Sequence, residues 1–218
     1  FISAPHLDDL QCAYSALQGF LQGQNSKNIN VMVCYDNEEV GSGTKQGAGS
    51  TFLYDVFHRV NTALGKPEEA YYRALANSFM LSADNAHAVH PNHPEKTDAV
   101  NCVYMNEGIV VKSHAGQKYT SDAVSIAIFR KICEAAGVPV QFFANRSDMA
   151  GGSTLGNISS TKVAVNAVDI GLPQLAMHSS YETAGVKDTY YMVKAMEMFY
   201  KTTLFEVSEG AWNIDVQA

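Results

Sequence analysis

Apolar positions along this chain follow two rhythms. Short runs rich in strand formers fall at 29–35 (core Val31 to Tyr35), 79–83, Ile109 to Lys112, Pro139 to Phe143, Val168 to Gly171 and Gln174 to Met177. Runs of this length and character predict buried strands of a parallel sheet. Between them the spacing turns helical. Leu10, Ala13, Tyr14, Leu17, Phe20 and Leu21 mark a helix over 8–23, stopped at Gly23. Leu53, Val56, Phe57, Val60 and Leu64 give the buried face of another, capped by Ser50 and ended by Gly65-Lys66-Pro67. Residues 71–78 continue as helix, Ser121 caps one that runs to Ala136 and stops at Gly137, and Tyr191, Val193, Met196, Phe199 and Tyr200 mark the last. Residues 41–49, 85–98 and 151–154 are loops, the last leading into a short helix. Strands alternating with helices predict an α/β fold, with a mostly parallel central sheet flanked by helices, as a single domain over 1–218.

Composition narrows the function without choosing it. A length of 218 residues with 46% apolar and 17% charged positions suits a globular domain with a sizeable core. The net charge of −7 argues against nucleic acid or an anionic membrane surface as the main partner. No apolar run reaches membrane-spanning length and no signal peptide opens the chain. Cys12, Cys34, Cys102 and Cys133 are scattered, as small thiols of a cytoplasmic protein would be. The chain opens at Phe1 rather than Met and reads as cut from something longer.

Candidate chemistry gathers at the predicted strand ends. Glu38 and Glu39 follow the first run, Asp84 ends the second, His178 ends a late one, and Asp8 stands at a helix start. Open α/β sheets place their ligands at the carboxyl ends of strands. Adjacent carboxylates repel, and one resolution is that a cation takes one while the other carries protons. A solvated acidic loop is the other reading of Glu38-Glu39 alone. Carboxylates with an imidazole suit zinc, cobalt or manganese, and two ions about 3.5–4 Å apart sharing one carboxylate would neutralise such a group.

The segments S-A-P-H-L-D-D-L, D-N-E-E-V-G-S, S-A-D-N-A-H-A-V-H-P-N, K-S-H-A-G-Q-K-Y, G-G-S-T-L-G and P-Q-L-A-M-H-S, in this order, closely resemble the M18 family of metallo-aminopeptidases, from residue 3 to about residue 200. The resemblance implies a dinuclear metal-assisted hydrolysis of N-terminal residues from peptides, acidic residues being candidates. By it, Asp8 bridges two divalent ions, zinc first, with cobalt or manganese as alternatives. Glu38 is the general base, Glu39 and His178 are ligands, and Asp84 holds the first ion. The peptide after Asp8 is expected to be a non-proline cis bond. Lys112, Tyr119 and Met177 are implied at the substrate pocket, the lysine for an acidic side chain and the tyrosine for the reaction oxyanion. The resemblance further implies that an H-x-D segment carrying another histidine ligand, and an inserted dimerisation domain, lie outside this sequence. The chain is then the C-terminal part of a catalytic domain. A homo-oligomer, dodecameric in the family, is the expected assembly.

Other candidates carry less. His87, His90 and His93 lack the glutamate of an H-E-x-x-H helix, and Pro91 and Pro94 break any helix that would align them, so a packing role is favoured; His6 and His58 read the same way. Asn145 to Asp148 before Gly151-Gly152 lacks a phosphate-loop pattern and reads as a pocket wall. Two rival functions stand beside the aminopeptidase. One is a related dinuclear deacylase or carboxypeptidase; the other is a non-catalytic processed or assembly subunit of the same fold.

Overall fold

The computed structural model describes residues 1–216. In chain order the main elements are β1 (Ile2–Ala4), α1 (Leu7–Gln22), α2 (Phe52–Ala63), α3 (Glu68–Ala76), β2 (Phe79–Ala83), β3 (Ala86–His87), β4 (Ile109–Ser113), α4 (Ala123–Ala136) and β5 (Val140–Ala144), followed by α5 (Leu155–Ser159), β6 (Asn166–Gly171), β7 (Pro173–Leu175), β8 (Glu182–Ala184), α6 (Val186–Lys201), β9 (Thr202–Ser208) and β10 (Ala211–Val216).

Strands β2, β6, β4 and β5 form the central sheet in that order. The β2–β6 and β4–β5 pairs are parallel, whereas β4 and β6 run antiparallel through Val110–Gly171 and Val111–Ile170. A second sheet, β1-β8-β7-β3, is antiparallel except for its β3–β7 pair, and β9–β10 form a hairpin. The fold class is therefore α/β with mixed sheets. The core lies where Ile109, Val111, Val168 and Ile170 of the central sheet meet Phe129 of α4 and Met192 of α6, all fully buried. Each such side chain contributes about 1.5–3 kcal/mol on leaving water.

Helix α4 starts on a cap the residue pattern did not single out. Asp122, not Ser121, accepts the Ser125 N–H, and Ser125 Oγ accepts the Asp122 N–H in return. This reciprocal cap satisfies two end groups that Ser121 cannot reach. Gly137 ends the helix in the left-handed region at φ 66°.

Two helices bury a different face from the one expected. In α1 the apolar residues Leu10, Tyr14, Leu17 and Leu21 are exposed, while Gln11, Cys12, Ser15 and Gly19 are buried. The reason is close approach: a Cβ on Gly19 would overlap the Met196 side chain of α6, so α1 packs through its small residues. In α2 only Leu53 is buried, and Val56, Val60 and Leu64 face outward.

The run at 29–35 is not a strand. Among the described residues no strand pairs with it. Asn30 Nδ2 donates to the Tyr200 carbonyl and Tyr200 Oη donates to the Val31 carbonyl, tying the segment to α6 instead. Between it and the unpaired outer edge of β2 runs a groove of about 950 Å³, lined by Met32, Cys34, Tyr35, Phe79, Leu81 and Phe57. A strand exists only with a ladder partner on at least one edge, and across this groove there is none. The loop at 85–98 also differs, since it contains β3 and a turn of 3₁₀ helix at Pro94–Lys96.

Candidate metal centre

Chain direction delivers the acidic residues to one place. Strand β2 ends at Ala83, so Asp84 leaves the sheet edge beside β6, where a Cβ on Gly171 would overlap the Asp84 carbonyl oxygen. Asp8 lies in the turn from β1 into α1, with φ −82° and ψ 114° outside helical values, and the Asp8–Asp9 peptide is cis as expected. Glu38 and Glu39 follow the 29–35 segment. His178 sits past β7, in a turn that holds it at φ 67°.

Among the described residues two clusters with metal-ligand spacing result, each with donor atoms within 4.8 Å of one another. One is Asp8, Glu39 and His178; the other is Asp8, Asp9 and Asp84. Asp8 belongs to both. His178 Nε2 lies 3.1 Å from Asp8 Oδ2 and 3.2 Å from Glu39 Oε2. Asp9 was not singled out by the residue pattern. Its only signal was adjacency to Asp8, because the helical spacing gave no hint that both carboxylates turn the same way.

Electrostatics fit a cation. Burial, with Asp84 and Glu39 nearby, pushes the Asp8 carboxyl up to about 8. Burial and Asp84 also hold Asp9 well above the ordinary range. Glu38 is raised to about 7 by burial, then by Asp84 and Glu39. Asp8 Oδ1 is buried with no hydrogen-bond partner among the described residues. Unpaired buried carboxylate oxygen among like charges is costly, and a divalent ion removes that cost. The residues present therefore fit a metal.

Lys112 lies deeper than a substrate-reading group would. It is 3% exposed, and its Nζ donates to Asp84 Oδ2 at 2.9 Å and to the Asn85 carbonyl at 2.7 Å. Burial lowers its affinity for a proton, but the Asp84 charge outweighs that and the net shift is upward. Two of its three donors are thus committed within the protein. Tyr119 is buried beside it, with Nζ 5.7 Å from the ring centre, and its phenol is raised by burial against a lowering from Lys112. Glu38, Asp84, Lys112, Tyr119, Met177 and His178 all border one cavity of about 520 Å³. His87, His90 and His93 also border it but join neither ligand cluster. His58 pairs with Glu68 at 2.8 Å on the surface.

Beneath the ligands, Asn85 is buried and sends its side-chain N–H to Gln174 Oε1 at 2.6 Å, while its backbone N–H reaches Asp9 Oδ1 at 3.2 Å. Glu182, also buried, accepts the N–H groups of Asp8 and His178. Asp169 accepts from Thr120 and Thr154, fixing the loops on either side of the cavity. None of these residues was marked by the sequence, because buried amides and carboxylates that support a site have no spacing of their own.

An α/β fold whose strand ends gather carboxylates and an imidazole in shared clusters has the donor set of a divalent-metal site. More narrowly, the chain belongs to the M18 family: the family model described as Aminopeptidase I zinc metalloprotease (M18) matches residues 1–200. It is 50% identical over 200 residues to a probable M18 family aminopeptidase 2 of Clostridium acetobutylicum, covering 92% of this chain and 46% of that protein. A relative with the same description from Pseudomonas aeruginosa is 41% identical over 204 residues, covering 93% and 46%. Among solved structures, the M18 aminopeptidase of Thermotoga maritima superposes with a TM-score of 0.82 at 27% identity, over 89% of this chain and 45% of that one. The mApe1 dodecamer of S. cerevisiae gives 0.77 at 31% identity, over 91% and 45%. The chain spans about half the length of the relatives it matches.

Proposed function

We propose that this chain is the C-terminal part of the catalytic domain of a metallo-aminopeptidase that removes N-terminal residues from peptides with two divalent metal ions, zinc first. The observation that carries this reading is the sharing of Asp8 between two ligand clusters. Asp8, Glu39 and His178 would hold one ion, and Asp8, Asp9 and Asp84 the other. Bound there, such ions act as Lewis acids and make water a nucleophile at neutral pH. Glu38, raised toward neutrality, takes the proton of the attacking water and returns it to the leaving amine. Tyr119, kept protonated by burial, donates to the developing oxyanion, and Met177 packs against the substrate at the cavity mouth. Lys112 balances Asp84 rather than reading an acidic side chain.

The Asp8, Asp9 and Asp84 cluster holds only carboxylates. A further polypeptide supplying a histidine there would complete it, seated in the groove between β2 and 29–35, both of which offer unpaired backbone. The dodecameric assembly of the yeast relative supports a homo-oligomer for the whole protein. The free thiols Cys12, Cys34, Cys102 and Cys133 support a cytoplasmic setting. Among the described residues no helix is long and apolar enough to cross a membrane.

The test is metal content by mass spectrometry on the whole protein that contains this chain, alongside hydrolysis of free-amine and N-acetyl peptides. About two ions per chain and cleavage of free-amine substrates alone is the expected result. Cleavage of N-acetyl substrates alone would transfer the site to a deacylase. A metal-replete protein that cleaves neither would make it a non-catalytic assembly subunit.

A further inference from the structure

Glu182 opens β8, opposite Ala4 of β1 in the second sheet. It is 2% exposed and belongs to neither ligand cluster. Its Oε2 accepts the Asp8 N–H at 3.0 Å and its Oε1 accepts the His178 N–H at 2.8 Å. One buried carboxylate therefore spends both oxygens on the backbones of two residues whose side chains meet at 3.1 Å.

Both of those backbones need holding. Asp8 departs from helical angles inside the first turn of α1. His178 occupies the left-handed region, which disfavours a non-glycine residue. The His178 side chain is 69% exposed, so packing does not aim its ring. Its direction is set by where the backbone is anchored, and the anchor is Glu182. A carboxylate is the side chain that accepts on both oxygens at once, and an amide would oppose one N–H with another.

We propose that Glu182 is a positioning residue of the metal centre: it clamps the Asp8 and His178 backbones to one carboxylate, so that both side chains present their donor atoms to the same ion. The proposal rests on the metal reading given above. It assigns Glu182 no ligand role and no contact with substrate. Hydrogen-bond partners behind metal ligands typically change affinity by about 10- to 100-fold when removed.

The experiment compares Glu182→Gln with the parent and with Asp188→Asn, in the whole protein that contains this chain. Asp188 is a matched control, since it is equally buried and accepts two backbone N–H groups, from Asn106 and Gly108, away from the ligands. Zinc affinity is read by competition with a chromophoric chelator, below the unfolding temperature of every variant. The expected result is zinc binding about 10- to 100-fold weaker in Glu182→Gln and unchanged in Asp188→Asn. Parent-like affinity in Glu182→Gln overturns the proposal, and so does equal weakening in both variants, which would mean general loosening. If Glu182→Gln does not fold, Glu182→Asp keeps the charge and shortens the reach by one methylene; weakened zinc binding supports the clamp and unchanged binding overturns it. A parent that binds no zinc removes the metal reading itself, and the clamp with it.

Discussion

Replacing Lys112 with methionine takes away an ammonium buried among the carboxylates while keeping most of the side-chain volume. The pair is well enclosed, with 4% of the Lys112 side chain and 15% of the Asp84 side chain exposed. Removing one partner of a buried pair costs about 3–5 kcal/mol, because the other charge is left without compensation. For a chain of this size each kcal/mol moves Tm by roughly 2–4 °C, so the metal-free variant should unfold on the order of 10 °C lower. Bound metal changes that balance, since a cation on Asp84 takes over the neutralisation. What metal cannot replace is the hydrogen bond from Nζ to the Asn85 carbonyl, worth about 1 kcal/mol. The gap between parent and variant should therefore shrink to about 2–4 °C when metal is saturating. Thermal unfolding by circular dichroism, in EDTA and in excess zinc, measures both gaps. An equal gap in the two conditions would refute Asp84 as a ligand. No gap in EDTA would refute the buried pair.

Three further outcomes are expected. Glu38→Gln should retain metal by mass spectrometry and lose turnover by several orders of magnitude, and near-parent turnover would remove Glu38 as the base. His178→Ala should bind fewer ions per chain, and full stoichiometry would exclude the imidazole as a ligand. Burial raises Asp188 from 3.8 to about 6, against lowering by the Asn106 and Gly108 amides. A carboxyl raised on folding adds stability that is complete below its unfolded value and is lost as pH rises through its folded one. The Tm of the parent relative to Asp188→Asn should therefore fall from pH 4 to pH 7, and a pH-independent difference would contradict that assignment.

Local pattern and global position contributed differently to what could be read. Strands β2, β4 and β6 were legible as short apolar runs because each carries a ladder partner within the chain. The run at 29–35 has the same composition and is not a strand, since pairing belongs to two segments and the pattern describes one. In α1 the apolar stripe pointed to the wrong face: Gly19 allows α6 so near that the small residues are buried and the leucines are left outside. Glu38, Glu39, Asp84 and His178 stood out because their charge or imidazole follows apolar runs. Glu182 and Asn85, which support them, did not, because their partners are backbone groups distant in sequence.

By itself, the sequence determined the class of fold, most element positions and the order of motifs that places the chain in its family, since these depend on neighbours a few residues apart. Only the tertiary structure decided that Asp8 belongs to two clusters, that Asp9 joins one of them, that Lys112 is spent on Asp84, and that Glu182 ties two ligands together. Those are distances between residues up to 174 positions apart, and such distances are fixed by how sheets and helices pack rather than by any local preference.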